Sequence, residues 1–180
     1  MGNSAANDRP ISFRPLGRSD FPLLQKWLAA AHVAVWWNER FDLDSLEAKY
    51  GPSIDGSHPV HVYLILRGGG PIGWIQWYRW RDFPEHALQL GAEGGTAGID
   101  LAIGEIEWTG RGLGSAAIRE FGESYIFADG EVSAIIADPS RSNLPSVSAF
   151  RKAGFTVIKT VQLVDEPFER HVVRLDRVQT

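Results

Sequence analysis

The feature that most restricts the fold of this chain is a glycine-rich segment that leads directly into a sequence typical of a helix. The segment reads EWTGRGLGSAAIREF, residues 107–121, and has glycine at positions 110, 112 and 114. A helix N-terminus offers unpaired backbone N–H groups and the positive end of the helix dipole, and glycines there let an anion approach the main chain. The segment therefore predicts a strand, a loop and a helix that bind an anionic ligand.

Two familiar nucleotide-binding loops fit this segment badly. A Walker loop requires Lys and then Ser or Thr after its last glycine, whereas this chain has Ser115 and Ala116. A Rossmann loop requires the spacing G-x-G-x-x-G after the first strand, whereas these glycines are evenly spaced and follow four predicted strands. A glycine-rich turn that only packs closely also fits the loop when it is considered alone.

Composition limits the class of protein. The chain has 180 residues, of which 44% are hydrophobic and 22% charged, and this suits one α/β-type domain, predicted over 11–180 after a disordered tail, 1–10. The absence of cysteine excludes disulfides, cysteine nucleophiles and thiolate metal sites.

The net charge of -4 argues mildly against nucleic acid as a partner and suits a cationic ligand. With no signal-peptide pattern and no apolar run long enough to span a bilayer, we expect a cytoplasmic protein without membrane contact.

The histidines do not suggest a metal site. His58 and His61 flank a proline and have no carboxylate at ligand spacing, and the other histidines are scattered. We predict no metal.

Hydrophobic periodicity and turn residues predict a mixed sheet flanked by helices, the α/β fold class. Residues 81–97 show no clean period, and a loop of that length suggests a lid. The other predicted elements are a strand at 11–16, a helical region from Ser19 or Asp20 to Trp37, a short helix from Asp42 to Gly51 and Pro52, a hairpin at 61–80, a strand at 98–104, a helix at 115–128, a strand at 132–138, a helix at 143–153 and a terminal hairpin.

The glycine segment resembles the pyrophosphate loop of the GNAT acetyltransferases, in which a basic residue or Gln is followed by two free positions, Gly, one free position and Gly. The segment NLPSVSAFRKAGF, 143–155, resembles the second GNAT signature, and the two occur in the expected order. Further similarity to the aminoglycoside 6′-N-acetyltransferases lies in FPLLQKWLAAAHVAVWW, GPIGWIQWY, GIDLAIGE and DPSRSN. The resemblance covers most of residues 11–160 and implies the GNAT fold, acetyl-CoA as the acetyl donor, an aminoglycoside as the acceptor and antibiotic resistance.

The resemblance also implies which residues hold coenzyme A. The main chain of strand 100–104 is expected to separate from its neighbour and direct amides at the thioester, while the glycine loop holds the pyrophosphate and Asn143 lies near the pantetheine arm. The family usually has Arg or Gln where this chain has Thr109, which removes one phosphate contact. The residues assigned to the coenzyme are Leu101, Ala102, Ile103, Arg111, Gly112, Leu113, Gly114, Ser115, Asn143 and Phe150.

Asp100 is the predicted catalytic base. It is an acid in an otherwise apolar strand, and burying an unpaired carboxylate costs on the order of several kcal/mol. It also matches the acid that the resembled family assigns to the 6′-amine. Asp138 matches a second substrate acid and follows the next strand, although Asp-Pro-Ser before a helix is also an ordinary turn and cap. A salt-bridged or capping role remains the alternative for Asp100.

Phe150 departs from the family pattern. Many GNAT enzymes have Tyr there, placed to protonate the leaving thiolate, and Phe cannot donate a proton. Because a free thiol has a pKa of about 8.5, the thiolate can leave near neutral pH and take a proton from water or from the substrate ammonium.

A polycationic sugar needs carboxylates and flat aromatic surfaces. Trp36 and Trp37 end the first helical region and Glu39 follows, although core packing and a solvated face explain these residue types equally well. By resemblance, Gln76 and Tyr78 face the substrate.

Other functions remain open at this point. One is a GNAT enzyme for another amine, such as a siderophore precursor or a polyamine. A non-catalytic acyl-CoA-binding module would agree with Phe150, although it needs no base in a central strand. An enzyme that acetylates proteins would need an open groove, and the chain could form a monomer or a homodimer.

Overall fold

The computed structural model describes residues 10–164 and 166–178. The predicted tail, 1–10, lies outside these residues except for Pro10. Within them the strands are β1 (Ile11–Pro15), β2 (His61–Arg67), β3 (Gly70–Arg79), β4 (Thr96–Ile103), β5 (Ala134–Ala137), β6 (Thr156–Gln162) and β7 (Glu169–Asp176), and the α-helices are α1 (Phe21–Ala29), α2 (Ala31–Trp37), α3 (Leu43–Ile54), α4 (Pro84–Leu90), α5 (Leu113–Phe121) and α6 (Leu144–Lys152).

The strands form one mixed sheet in the order β1-β2-β3-β4-β5-β7-β6. All neighbouring strands are antiparallel except β4 and β5, which are parallel and are joined through α5. The parallel ladder pairs Thr96 with Ala134 and ends at the pair Gly98 and Ile136. Since β4 continues to Ile103, its second half has no ladder partner on that side and the sheet opens there.

Three apolar clusters fill the two faces of the sheet. On one face, Ile75, Trp77 and Ile99 pack under α5 and α6. On the other face, α1 to α3 cover Leu64 and Trp74 near the β1 edge. A separate cluster on this second face is built from Trp80, α4, β5 and β7. A gap between these last two clusters therefore lies over the middle of β3 and β4.

Residues 81–97, predicted as an irregular loop, contain a helix, so the prediction of a loop was wrong. Helix α4 has Pro84 at its first position and Gly91 in the left-handed conformation at its end, and it buries Ala87 and Leu90. The helix is too short to show a period in the sequence, because its buried face amounts to two side chains. Helix α4 is thus anchored in the core by these two side chains.

Two other helices differ from the predicted ones. Ala30 has an extended backbone that divides the first helical region into α1 and α2, although alanines favour a helix. Helix α3 continues through Gly51 and Pro52 to Ile54, although Pro52 lacks the N–H that would bond to the carbonyl four residues earlier. None of the helices in the described part of the chain is long and apolar enough to cross a membrane.

Candidate active site

A cleft of about 490 Å³ opens where β4 parts from β5. Residues 101–103 of β4 form its floor, α2 lies on one side, and α6 lies on the other. The glycine loop and the start of α5 close one end of it. Of the residues that the sequence assigns to the coenzyme, the lining includes Leu101, Ala102, Ile103, Gly112, Leu113, Gly114, Ser115 and Asn143.

The glycine loop has the backbone that its sequence requires. Gly110 and Gly112 have φ angles of 69° and 77°, which are unfavourable for residues with a side chain. A Cβ atom at either position would meet no heavy atom within 4 Å, so the space beside the loop is open. The hydroxyl of Ser115 donates to the Gly112 carbonyl at 2.8 Å and fixes the first turn of α5. The loop therefore presents bare backbone to the cleft.

Asn143 fixes the other wall of the cleft. Its Oδ1 accepts a hydrogen bond from the Ser146 amide at 3.2 Å, which caps α6. The cap ties the start of α6 to a side chain that itself faces the cleft.

Asp100 lies on the β4 face that carries the gap. Gln76 is directly opposite on β3, and its amide donates to Asp100 Oδ2 at 3.1 Å. Burial raises the pKa of Asp100 to about 6, the nearby Asp138 carboxylate adds to the increase, and the Gln76 hydrogen bond opposes it. The side chain is only partly covered, so it remains within reach of a ligand. A carboxylate with this pKa is ionised at neutral pH and can still accept a proton.

Tyr78 occupies the next position on the same face of β3. Its ring packs so closely on Gly98 that a Cβ there would come within 2.3 Å of the ring. The ring also makes edge contacts with Trp80 and Phe83. Burial, together with Asp100 and Asp138, raises the pKa of Tyr78 well above its ordinary value, so the phenol is neutral.

The remaining predicted acids already have cationic partners. Asp138 is buried beside His86 and Arg170. Glu39 pairs with Lys49 and accepts a hydrogen bond from the Tyr50 hydroxyl at 3.2 Å.

Comparisons with known proteins identify the family. A family model described as the acetyltransferase (GNAT) domain matches residues 17–163. This chain belongs to the GNAT acetyltransferases. The GNAT fold expected from the sequence, a mixed central sheet flanked by helices, is thereby confirmed.

Several similar proteins are aminoglycoside acetyltransferases. The chain is 31% identical over 160 residues to aminoglycoside N(6′)-acetyltransferase type 1 of Klebsiella pneumoniae, covering 87% of this chain and 79% of that protein. The figures for the protein of the same name from Serratia marcescens are identical. Among solved structures, aminoglycoside acetyltransferase AAC(6′)-Ib in complex with coenzyme A and kanamycin is similar over 93% of this chain and 95% of the other, with 29% identity and a TM-score of 0.77.

Two residues assigned to the coenzyme lie outside the lining of the GNAT cleft. Arg111 is exposed, and its guanidinium lies 5.4 Å from the centroid of the Trp108 ring. Phe150 is buried in the core and contacts the Phe155 ring edge-on at 5.1 Å. Its neighbour Ala149 lines the cleft instead.

The paired tryptophans of α2 have different surroundings. Trp36 is exposed and lines the cleft. Trp37 lines it too, but its ring also packs on the buried Trp74 at 4.9 Å. Trp37 therefore joins the cleft wall to the core.

Sequence reasoning missed four residues around the predicted acids: Lys49, Tyr50, His86 and Arg170. They come from α3, α4 and β7, and no spacing along the chain relates them to Asp100. Among the residues that the structure describes, no group of three or more His, Asp or Glu side chains could hold a metal.

Proposed function

We propose that this protein transfers the acetyl group of acetyl-CoA to the 6′-amine of an aminoglycoside and so confers resistance to the drug. The observation that carries the proposal is Asp100, a partly covered carboxyl with a pKa near 6 beside the cleft of a GNAT enzyme. Relatives named as aminoglycoside N(6′)-acetyltransferases support the choice of acceptor, as does a similar structure solved with coenzyme A and kanamycin.

The cleft suits the coenzyme. Open space beside Gly110 and Gly112, and the backbone N–H groups at the start of α5, fit a pyrophosphate. Asn143 would lie along the pantetheine arm, and Arg111 could swing from Trp108 towards a phosphate. When bound, acetyl-CoA supplies an acetyl group activated as a thioester.

The chain's own residues provide the proton transfer. Asp100 binds the acceptor ammonium and removes its proton, and Gln76 holds the carboxylate in place. Tyr78 gives the neighbouring sugar ring a flat, neutral surface, while Trp36 and Trp37 form the wall at the cleft. Asp138 and Glu39 offer carboxylates to further ammonium groups, in competition with their present partners.

The test is thiol release from acetyl-CoA by the purified protein. Kanamycin A is compared with an analogue whose 6′-amine is replaced by hydroxyl, and the variant Asp100→Asn is compared with the exposed control Asp176→Asn. We expect release that requires the 6′-amine and falls by about 10²–10⁴-fold in Asp100→Asn alone. Coenzyme A binding without thiol release from acetyl-CoA in the presence of an aminoglycoside would contradict the proposal. A parallel assay with spermidine would then test a polyamine as the acceptor.

A further inference from the structure

A histidine and an arginine share one carboxylate oxygen next to the proposed acceptor site. His86 Nε2 lies 3.2 Å from Asp138 Oδ2, and Arg170 Nη1 lies 3.6 Å from the same oxygen. Asp138 is 8% exposed, whereas the His86 side chain is 41% exposed. Arg170 thus places one positive charge beside Asp138, and His86 adds a second positive charge beside the same oxygen when it is protonated.

The position of His86 is fixed by its surroundings. Helix α4 is anchored in the core by Ala87, directly after the histidine. The imidazole stacks on the Trp80 ring at a centroid distance of 5.2 Å and an angle of 19°. Trp80 is itself buried and donates through Nε1 to the Ile136 carbonyl at 3.1 Å. The imidazole is therefore held facing Asp138.

Charged groups face His86 from three strands or their ends: Asp138 after β5, Asp100 on β4 and Arg170 on β7. Glu166 holds Arg170 from the far side at 2.8 Å. The hydrogen bond to Asp138 raises the pKa of His86, while burial and Arg170 oppose the increase and Asp100 adds to it. The pKa of His86 is therefore raised above the ordinary value for His, and the imidazole binds a proton more readily than a free one does.

We propose that protonated His86 competes with the second ammonium group of the acceptor for Asp138, so that His86 is a positioning residue that weakens the binding of polycations in acidic solution. The inference rests on the proposed function in one respect, namely that the acceptor carries more than one ammonium group. When His86 is neutral, Asp138, Arg170 and Glu166 together carry a net charge of −1, which attracts an ammonium. When His86 is protonated, the four groups carry no net charge, so that attraction is lost and the imidazolium occupies the carboxylate.

Reciprocity makes the inference measurable without turnover. If the proton and the ammonium compete for Asp138, the two binding events oppose each other equally. A bound polycation must then raise the acid dissociation constant of His86 by the same factor by which protonation weakens the binding of the polycation, so the pKa of His86 falls. The titration of the His86 ring is followed by NMR, with and without saturating kanamycin A. We expect kanamycin to lower the pKa of His86 by about one unit, equivalent to a tenfold effect on affinity. His171, which contacts Thr160 on β6, serves as the internal control, and kanamycin is expected to leave its ring signals unaffected.

A variant supplies the second measurement. Affinity for kanamycin is measured by calorimetry at pH 6 and pH 8 for the wild type, His86→Gln and His171→Gln. We expect His86→Gln to bind about tenfold more tightly than the wild type at pH 6 and equally well at pH 8, since Gln cannot be protonated. Asp100 titrates in all three proteins, so its contribution cancels in the comparison.

Two results would overturn the inference. One is a His86 titration that does not respond to bound kanamycin. The other is a His86→Gln variant whose affinity falls equally at both pH values, which is the behaviour of a structural residue. If kanamycin does not bind, the proposed function fails at that step, and the same titration with spermidine decides whether His86 competes with a polycation. Binding without acetylation would contradict the proposed function and leave the His86 result standing.

Discussion

The side-chain amide of Gln76 donates to Asp100 Oδ2 at 3.1 Å across a directly opposed pair of residues in β3 and β4. A hydrogen bond to the charged form of a carboxyl group lowers its pKa, and Gln76 therefore limits the effect of burial on Asp100. The proposed base is consequently more ionised at neutral pH than burial alone would allow.

This relationship predicts how the pH profile responds to a change at Gln76. Because Asp100 must be deprotonated to act, kcat/KM is expected to rise with pH through about 6. Gln76→Leu removes the donor, so we expect the inflection to move upward by up to about one pH unit. Profiles are measured for the wild type, Gln76→Leu and the outer-strand control Gln162→Leu. An unchanged inflection in Gln76→Leu would mean that another group sets the profile.

Substitutions at two glycines of the loop are expected to have different effects, one on the stability of the fold and the other on coenzyme A binding. Gly112→Ala places a side chain at a φ of 77° and should destabilise the fold by about 1–2 kcal/mol. Gly114→Ala lies within α5, where its methyl group makes an ordinary contact with Ala149 at 3.6 Å, so the fold should tolerate it. Because Gly114 lines the cleft, the added methyl should weaken coenzyme A binding instead.

Thermal unfolding and calorimetry with coenzyme A separate these two effects. If Gly114→Ala binds coenzyme A as the wild type does, the glycine loop does not hold the coenzyme at this position.

The contact between Gly98 and Tyr78 predicts a coupled pair. Gly98→Ala would bring a methyl group within 2.3 Å of the Tyr78 ring, so the ring must move away from the site. We expect a loss of about 1–3 kcal/mol in stability and a higher KM for the acceptor. In a Tyr78→Ala background the same change should cost much less, which a double-mutant cycle measures. Additive effects would show that the two residues do not interact.

The hydrogen bonds of Asp20 predict that part of the free energy of unfolding depends on pH. Its carboxylate accepts two hydrogen bonds from Arg14, at 2.8 and 2.7 Å, and one from the Gly17 amide at 2.9 Å. The Arg14 hydrogen bonds lower the pKa of Asp20, and the backbone bond contributes although burial opposes it. A carboxyl whose pKa is lowered on folding stabilises the protein above its unfolded pKa and loses this effect as pH falls through the folded pKa.

Asp20→Asn should therefore cost about 2 kcal/mol at pH 7. Denaturant unfolding at several pH values should show the difference between the two proteins shrinking below about pH 4, close to the ordinary pKa of Asp. A difference that persists undiminished in strong acid would assign the effect to packing.

The fold could be predicted because its most specific elements are local in sequence. The glycine loop with α5, and Asn143 with α6, each join a backbone conformation to a recognisable pattern, and the structure contains both helices at nearly the predicted positions. Helix α4 could not be predicted in this way, since two buried side chains give no measurable period. The break at Ala30 is also beyond sequence reasoning, because helix propensity favours continuity there and only tertiary contacts decide.

The site was predictable only in part, for a related reason. Asp100 is conspicuous as an acid within an apolar strand. His86 and Arg170 carry no such signal, because they reach Asp138 from α4 and β7 only after the sheet has assembled. An ion pair between residues that are far apart in the sequence produces no recognisable pattern in either segment.

The position of β7 between β5 and β6 has a consequence for how the protein is made. Strand β5 is short and fully buried. One of its edges pairs with β4 and the other pairs with β7. On the ribosome, β7 is synthesised after α6 and β6, so the middle of the sheet stays unfinished while most of the chain has already emerged. Until β7 arrives, the nascent protein exposes an apolar strand edge beside its proposed active site, and such an edge can pair with another chain.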